Sequence, residues 1–226
     1  MRLPKNSKLF KTLKFALLLT IVGTAGVQAV RFNKDYATTE SQAQAADDHE
    51  SLHDVVVWMM KTPKCRGRQG TELSEVKQKM LAKQIERILT NIGGDRRMQE
   101  AFVFLMCQES QYRANARSPA GALGIAQLMP ATAQAVATQL SLGKLTQDDL
   151  LDSETNIILG YTHFRDLVET YKGNLAKASA AYNGGPAGAT IKAMKSGGIG
   201  AAETDAYVRT MFDMLEERRI ALASKE

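Results

Sequence analysis

The sequence predicts an all-α domain. Three observations carry that expectation. From Glu75 onward, apolar residues recur at spacings of three and four, the period of one helix face. No segment alternates apolar and polar residues as a half-buried strand does. Glycine clusters punctuate the periodic stretches, at Gly93-Gly94, near Gly173 and at Asn183-Gly184-Gly185-Pro186.

The elements follow in order. Residues 30 to about 48 are rich in Ala, Gln, Thr and Asp, lack apolar periodicity and read as a linker. A short helix is expected over 50–61, through Val55, Val56, Val57, Trp58 and Met59. Lys61 to Gly70 is basic, carries Pro63, Gly67 and Gly70, and reads as loop. Val76, Met80, Leu81, Ile85, Ile88, Leu89 and Ile92 form one apolar face, ended by Gly93-Gly94. The next helix starts near Asp95 and reaches Glu109. Another spans about 131–140, with Pro130 suited to its first turn. Ser153 to Tyr171 is a long helix with Ile157, Ile158, Tyr161, Phe164, Leu167 and Val168 inward. A helix from about Asn174 to Tyr182 leads into the Asn183–Pro186 turn. Helices over 187–195 and 203–222 complete the set. The methionines at helical spacing read as core filler.

The chain has 226 residues, enough for one domain with a real core. Arg2, Lys5, Lys8, Lys11 and Lys14 precede an apolar run from Phe15 to Val27, which is short for a membrane span. Val27-Gln28-Ala29 supplies small residues for a secretion peptidase. Residues 1–29 are therefore expected to be a signal peptide cut after Ala29, the rival being an uncleaved N-terminal anchor. Residues 30–70 then hold the linker and short helix, and 71–226 the main domain. The leader also explains the charge. The net charge is +5, from 29 basic and 24 acidic residues. Without the five basic residues of the leader, 24 of each sign remain. The basic balance is thus no argument for a nucleic-acid partner. Contact with a membrane is expected only through an uncleaved N-terminus.

Glu109 is the candidate reactive group. It ends an apolar helix containing Phe102, Val103, Leu105 and Met106. Burial disfavours a charged carboxylate, and the negative end of the helix dipole opposes it further. Both effects raise its pKa, which suits a general acid near neutral pH. The loop that follows cannot continue the helix. Pro119 biases Ser118 away from helical geometry, and Gly121 and Gly124 permit a tight turn. Glu109 and Gln127 stand at the two lips of this connection, which is suited to form a cleft wall.

These residues resemble a known family. Glu109-Ser110, Asn115, Ala116, Ser118, Gly121-Ala122, Gly124 and Gln127-Leu128-Met129-Pro130 are similar to the first block of the soluble lytic transglycosylases. Ala180-Ala181-Tyr182-Asn183-Gly184-Gly185-Pro186 resembles a second block. Glu203-Thr204 followed by Tyr207-Val208 resembles a weaker third. The blocks occur in the family's order, over about residues 75–220. Ala126 departs from the pattern, since many members carry methionine there; the change touches packing and removes no reacting group. The resemblance implies a lysozyme-like, goose-type helical domain acting on peptidoglycan strands in the periplasm.

It also implies roles. Glu109 would protonate the glycosidic oxygen between N-acetylmuramic acid and N-acetylglucosamine. The substrate's N-acetyl group would stand in for the second carboxylate of an ordinary glycosidase. Glu109 would then take the proton from the muramyl C6 hydroxyl, leaving a 1,6-anhydromuramyl end. Tyr182 would hydrogen-bond near the Glu109 carboxyl, and Gln127 and Met129 would contact sugar. Ser110 and Ser118 would brace the loop. Asn183 would tolerate an unusual turn conformation, and Glu203 would support the site wall. Asp148, Asp149, Asp152, Glu154 and Asp205 read as solvated or capping residues. No cofactor is required, and the three histidines and two cysteines form no metal-ligand spacing. Cys65 and Cys107 either form a disulfide, as export would allow, or stay separate buried thiols. Two rivals stand beside the transglycosylase reading. One is a hydrolytic muramidase. The other is an inactive wall-binding component of a secretion, conjugation or phage apparatus. A cell-envelope assembly remains an open partner.

Overall fold

The computed structural model describes residues 50–66, 73–185 and 202–223. The expected leader, the linker and the 187–195 helix lie outside the described residues. Within them the regular elements are helices: α1 Leu52–Lys61, α2 Glu75–Ile92, α3 Arg96–Ser110, α4 Pro130–Gln139, α5 Gln147–Leu151, α6 Ser153–Thr170, α7 Leu175–Gly184 and α8 Ala202–Ala223. None of these helices is long and apolar enough to cross a membrane.

Side-chain caps set most helix starts. Ser51, Asp95, Asp152 and Asn174 each accept a backbone N–H of the first turn. The short α5 was not anticipated. It is nucleated by a capping box in which Thr146 and Asp149 satisfy one another's backbone N–H groups. Asp149 and Asp152 are thus capping residues, as their polar setting suggested.

Helix α3 is the hub. It packs against α1, α6, α7 and α8. Every residue from Ala101 to Cys107 is at most 2% exposed, so the helix is apolar all round because it is covered all round. Each large side chain there stabilises the fold by about 2 kcal/mol. Helix α6 is buried on two faces. Ile157, Tyr161 and Phe164 join the α3 core, whereas Leu159 enters a second core with Leu123, Leu128 and Val136. The α2 expectation needs a correction at its start. Val76 and Met80 are each 68% exposed, and the buried positions of α2 begin only at Ala82 and run through Ile85, Ile88 and Leu89.

One cross-link ties the end of α1 to the hub, and a second ties α8 to α1. Cys65, just past α1, and Cys107 of α3 form a disulfide with a Cα–Cα distance of 5.1 Å. Arg218 of α8 is buried, ion-pairs with Glu50 and sits 5.1 Å from the Trp58 ring centroid. The second link fixes the helix that carries Tyr207.

Candidate active site

Helix α3 runs one residue past Glu109 and ends abruptly. Gln111 and Tyr112 both take left-handed backbone conformations, with φ of 54° and 60°. Each costs on the order of 1–3 kcal/mol for a residue with a Cβ. The turn is held because Tyr112 is buried and its hydroxyl donates to the Val103 carbonyl at 2.9 Å. Gln111 N–H closes onto the Cys107 carbonyl, and Arg113 Nε donates to the Ser110 carbonyl at 2.9 Å. The helix end is thereby satisfied without moving Glu109.

The connection to α4 is a compact loop with two isolated antiparallel bridges, Arg117 with Leu123 and Leu123 with Leu128. Ser118 braces it, its hydroxyl accepting the Ala122 N–H at 2.9 Å. Ser110 donates its hydroxyl to the Ile125 carbonyl at 2.6 Å, tying the loop to the residue after Glu109. Gln127 donates its amide to the Gly124 and Ala116 carbonyls, so the loop occupies that N–H pair. Met129 caps α4 and is 44% exposed.

Buried Asn156, which sequence reasoning did not single out, clamps the loop from α6. It accepts Ala126 N–H at 2.8 Å and donates to the Leu123 and Leu150 carbonyls. A polar amide beside Ile157 and Ile158 on a buried helix was the available signal. Gly160, one turn on, lets α6 approach closely. A Cβ there would stand 2.7 Å from the Ala126 Cβ and 3.2 Å from the Tyr182 hydroxyl.

Three side chains meet at the end of α3. The Tyr207 hydroxyl donates to Glu109 Oε1 at 2.9 Å. Tyr182, expected to make a bond of this kind, instead donates to the Ala126 carbonyl at 2.8 Å. Its hydroxyl is held far from ionising by burial and then by the nearby Glu109 carboxylate. Tyr207 is held likewise. Burial raises the Glu109 pKa to about 7, against which the Tyr207 hydrogen bond pulls downward. The cavity beside it has a volume of about 350 Å³ and is lined by Lys64, Gln108, Arg113, Thr210 and Met214 among others. Among the described residues that line it, Glu109 is the one carboxylate. Asn183 also departs from expectation. It lies inside the last turn of α7, and the positive φ falls on Gly185; its side-chain oxygen accepts the Thr204 hydroxyl at 3.4 Å. Glu203 lies in the first turn of α8, with its side chain outside the described residues. Among the described residues, no cluster of three His, Cys, Asp or Glu could hold a metal ion.

Fold and site together define an all-α, lysozyme-like domain with a carboxyl, that of Glu109, buried at the end of its central helix. The Transglycosylase SLT domain model matches residues 90–203, half of the chain, and the chain belongs to that family. It is similar to the soluble lytic murein transglycosylase of Escherichia coli strain K12, with 39% identity over 80 residues. That match covers 35% of this chain and 12% of that protein. The Salmonella typhimurium soluble lytic murein transglycosylase is 38% identical over 80 residues, covering 35% and 12%. This chain thus matches about an eighth of the length of these curated relatives. The crystal structure of the 70 kDa soluble lytic transglycosylase from Escherichia coli superposes with a TM-score of 0.50 and 22% identity, covering 81% of this chain and 33% of that one. At that identity the likeness speaks to the fold.

Proposed function

We propose that this protein is an exported lytic transglycosylase that cleaves peptidoglycan between N-acetylmuramic acid and N-acetylglucosamine, leaving 1,6-anhydromuramyl ends. One observation carries the reading: Glu109, held at a pKa of about 7, is the one carboxylate among the described residues that line its cavity. A lone carboxyl near neutrality serves first as acid and then as base. In the first step Glu109 gives its proton to the glycosidic oxygen, the C1–O bond breaks, and the substrate's acetamido oxygen stabilises the cationic sugar. In the second step ionised Glu109 accepts the C6 hydroxyl proton, the C6 oxygen bonds to C1, and water is not consumed. Tyr207 steadies the carboxylate in both halves. Tyr182, with its hydroxyl anchored on Ala126, fixes the loop that carries Gln127 and Met129 towards the sugar. Residues 1–29 deliver the chain across the inner membrane, and the domain of 71–226 works in the periplasm.

The test is a paired digestion of purified sacculi with wild type and Glu109→Gln, read by mass spectrometry. The reading expects products one water lighter than reducing ends, from wild type alone. Reducing ends only would make the enzyme a hydrolytic muramidase. Undiminished lysis by Glu109→Gln would remove Glu109 from the acid role.

A further inference from the structure

Lys64 lines the Glu109 cavity from outside the stretch that the family model matches, which begins at residue 90. It lies in the turn after α1, where the Cys65 and Arg66 N–H groups close onto the Thr62 carbonyl. Two links hold this turn to the end of α3, and in sequence they fall on either side of Glu109. Cys65 is bridged to Cys107, two residues before it. The Lys64 carbonyl accepts the Gln111 side-chain amide at 3.2 Å, two residues after it. The Lys64 backbone is thereby fixed relative to the reacting carboxyl, while its side chain lines the cavity.

The other polar side chains of this lining serve the protein's own backbone. Gln108, Ser110, Gln111, Arg113 and Thr210 each donate to a main-chain carbonyl. The Lys64 ammonium is held less firmly. It stands 3.7 Å from Glu217, with the two side chains 46% and 60% exposed. That separation is beyond hydrogen-bond reach, and an exposed pair contributes little. We propose that Lys64 is a further substrate-binding residue, its ammonium donating to hydroxyl and acetamido oxygens of the glycan strand, and that the Cys65–Cys107 bridge positions it. This rests on the peptidoglycan reading above. An ammonium offers three N–H donors, and a strand of N-acetylated sugars is dense in oxygen acceptors. The positioning role follows from the packing. Without the bridge, α1 stays seated through Leu52, Val55, Val56, Met59 and Met60. The turn beyond it loses its covalent hold on α3, and Lys64 is left with exposed polar contacts at Gln111 and Glu217.

The experiment measures binding apart from cleavage, at a temperature well below the denaturation midpoint of every variant. The Glu109→Gln protein is titrated with soluble peptide-bearing glycan strands. Adding Lys64→Met should weaken binding roughly tenfold, the loss of one charge-assisted hydrogen bond, and Lys64→Arg should restore most of it. Adding Cys65→Ala and Cys107→Ala in place of Lys64→Met should weaken binding to a similar degree. All three together should stay near tenfold, because the bridge acts through Lys64. In the cleaving enzyme the same substitutions should raise KM and leave kcat and the alkaline limb in place. Unchanged affinity in Lys64→Met would overturn the inference, and so would a loss that Lys64→Arg does not restore. Losses that multiply to about a hundredfold in the combined variant would overturn the positioning role. Should the cysteine variant not fold, the Lys64→Met and Lys64→Arg pair in the bridged chain still decides whether Lys64 binds substrate. If wild type cleaves nothing, the proposed activity fails while the affinity loss is still read. If wild type cleaves but Lys64→Met binds as tightly, this inference fails alone.

Discussion

The Tyr207 hydroxyl donates to Glu109 Oε1 at 2.9 Å, joining α8 to the end of α3 across 98 positions of sequence. It stabilises the charged carboxylate, whereas burial stabilises the neutral acid. Burial wins, and the tyrosine sets how far. Hydrogen bonds to charged groups are worth about 1.5–3 kcal/mol, and one pKa unit corresponds to about 1.4 kcal/mol. Tyr207→Phe should therefore move the alkaline limb of kcat/KM upward by about one unit and lower kcat, since the ionised intermediate loses its donor. A pH–rate profile checks this. An unmoved limb would mean that Tyr207 only packs.

Glu109 itself should trade stability for function. Its folded pKa is raised from 4.5 to about 7. A raised carboxyl pKa contributes stability that is complete below 4.5 and lost as pH rises through about 7. Ionised Glu109 thus costs the fold on the order of 3 kcal/mol above neutrality. Glu109→Gln should be more stable than wild type at pH 8, with the gap closing by pH 4. Denaturation midpoints at the two pH values test the sign. A gap of equal size at both would mean that the carboxyl is not buried as described.

The Cys65–Cys107 bridge closes a span of 42 residues. The chain-entropy relation puts its contribution at about 4 kcal/mol, acting mostly on the unfolded state. A Cys65→Ala, Cys107→Ala double variant should lose about that much by denaturant titration. Its Glu109 pKa should change little, because Tyr207 and the core around α3 supply the environment. A shifted pH–rate limb in the double variant would contradict that division of labour.

Glu109 was legible in the sequence because the signal is local: an acid closing the run Phe102–Met106, followed by a chain that must turn. The boundaries of α2 and α6 were legible for the same reason. Tyr207 was visible only as part of a weak block, because its role depends on how α8 crosses α3. No pattern within 203–222 encodes that crossing. The Tyr182 bond went to the wrong acceptor in prediction, since Ala126 reaches it only through the loop geometry that Asn156 imposes. Val76 and Met80 fit the helix period, yet period says which residues share a face and not how far the core extends along it.

Asn156 and Gly160 together imply the most sensitive packing in the site. Asn156 satisfies one N–H and two carbonyls, all buried with it. Asn156→Ala orphans several of these groups at about 1–3 kcal/mol each, so a loss of about 3 kcal/mol or more is expected. Gly160→Ala creates no orphan. Its new Cβ would press on Ala126 at 2.7 Å and on Phe102 at 3.1 Å, and relieving the overlap costs about 1–3 kcal/mol. The relief must displace the 125–127 segment or Tyr182, because Phe102 is locked in the α3 core. Activity should therefore fall more steeply in Gly160→Ala than its stability loss explains. Assay well below the denaturation midpoint, where the variant is fully folded, isolates that part. Full activity in the folded variant would show that the Ala126–Tyr182 contact tolerates movement and plays no positioning role.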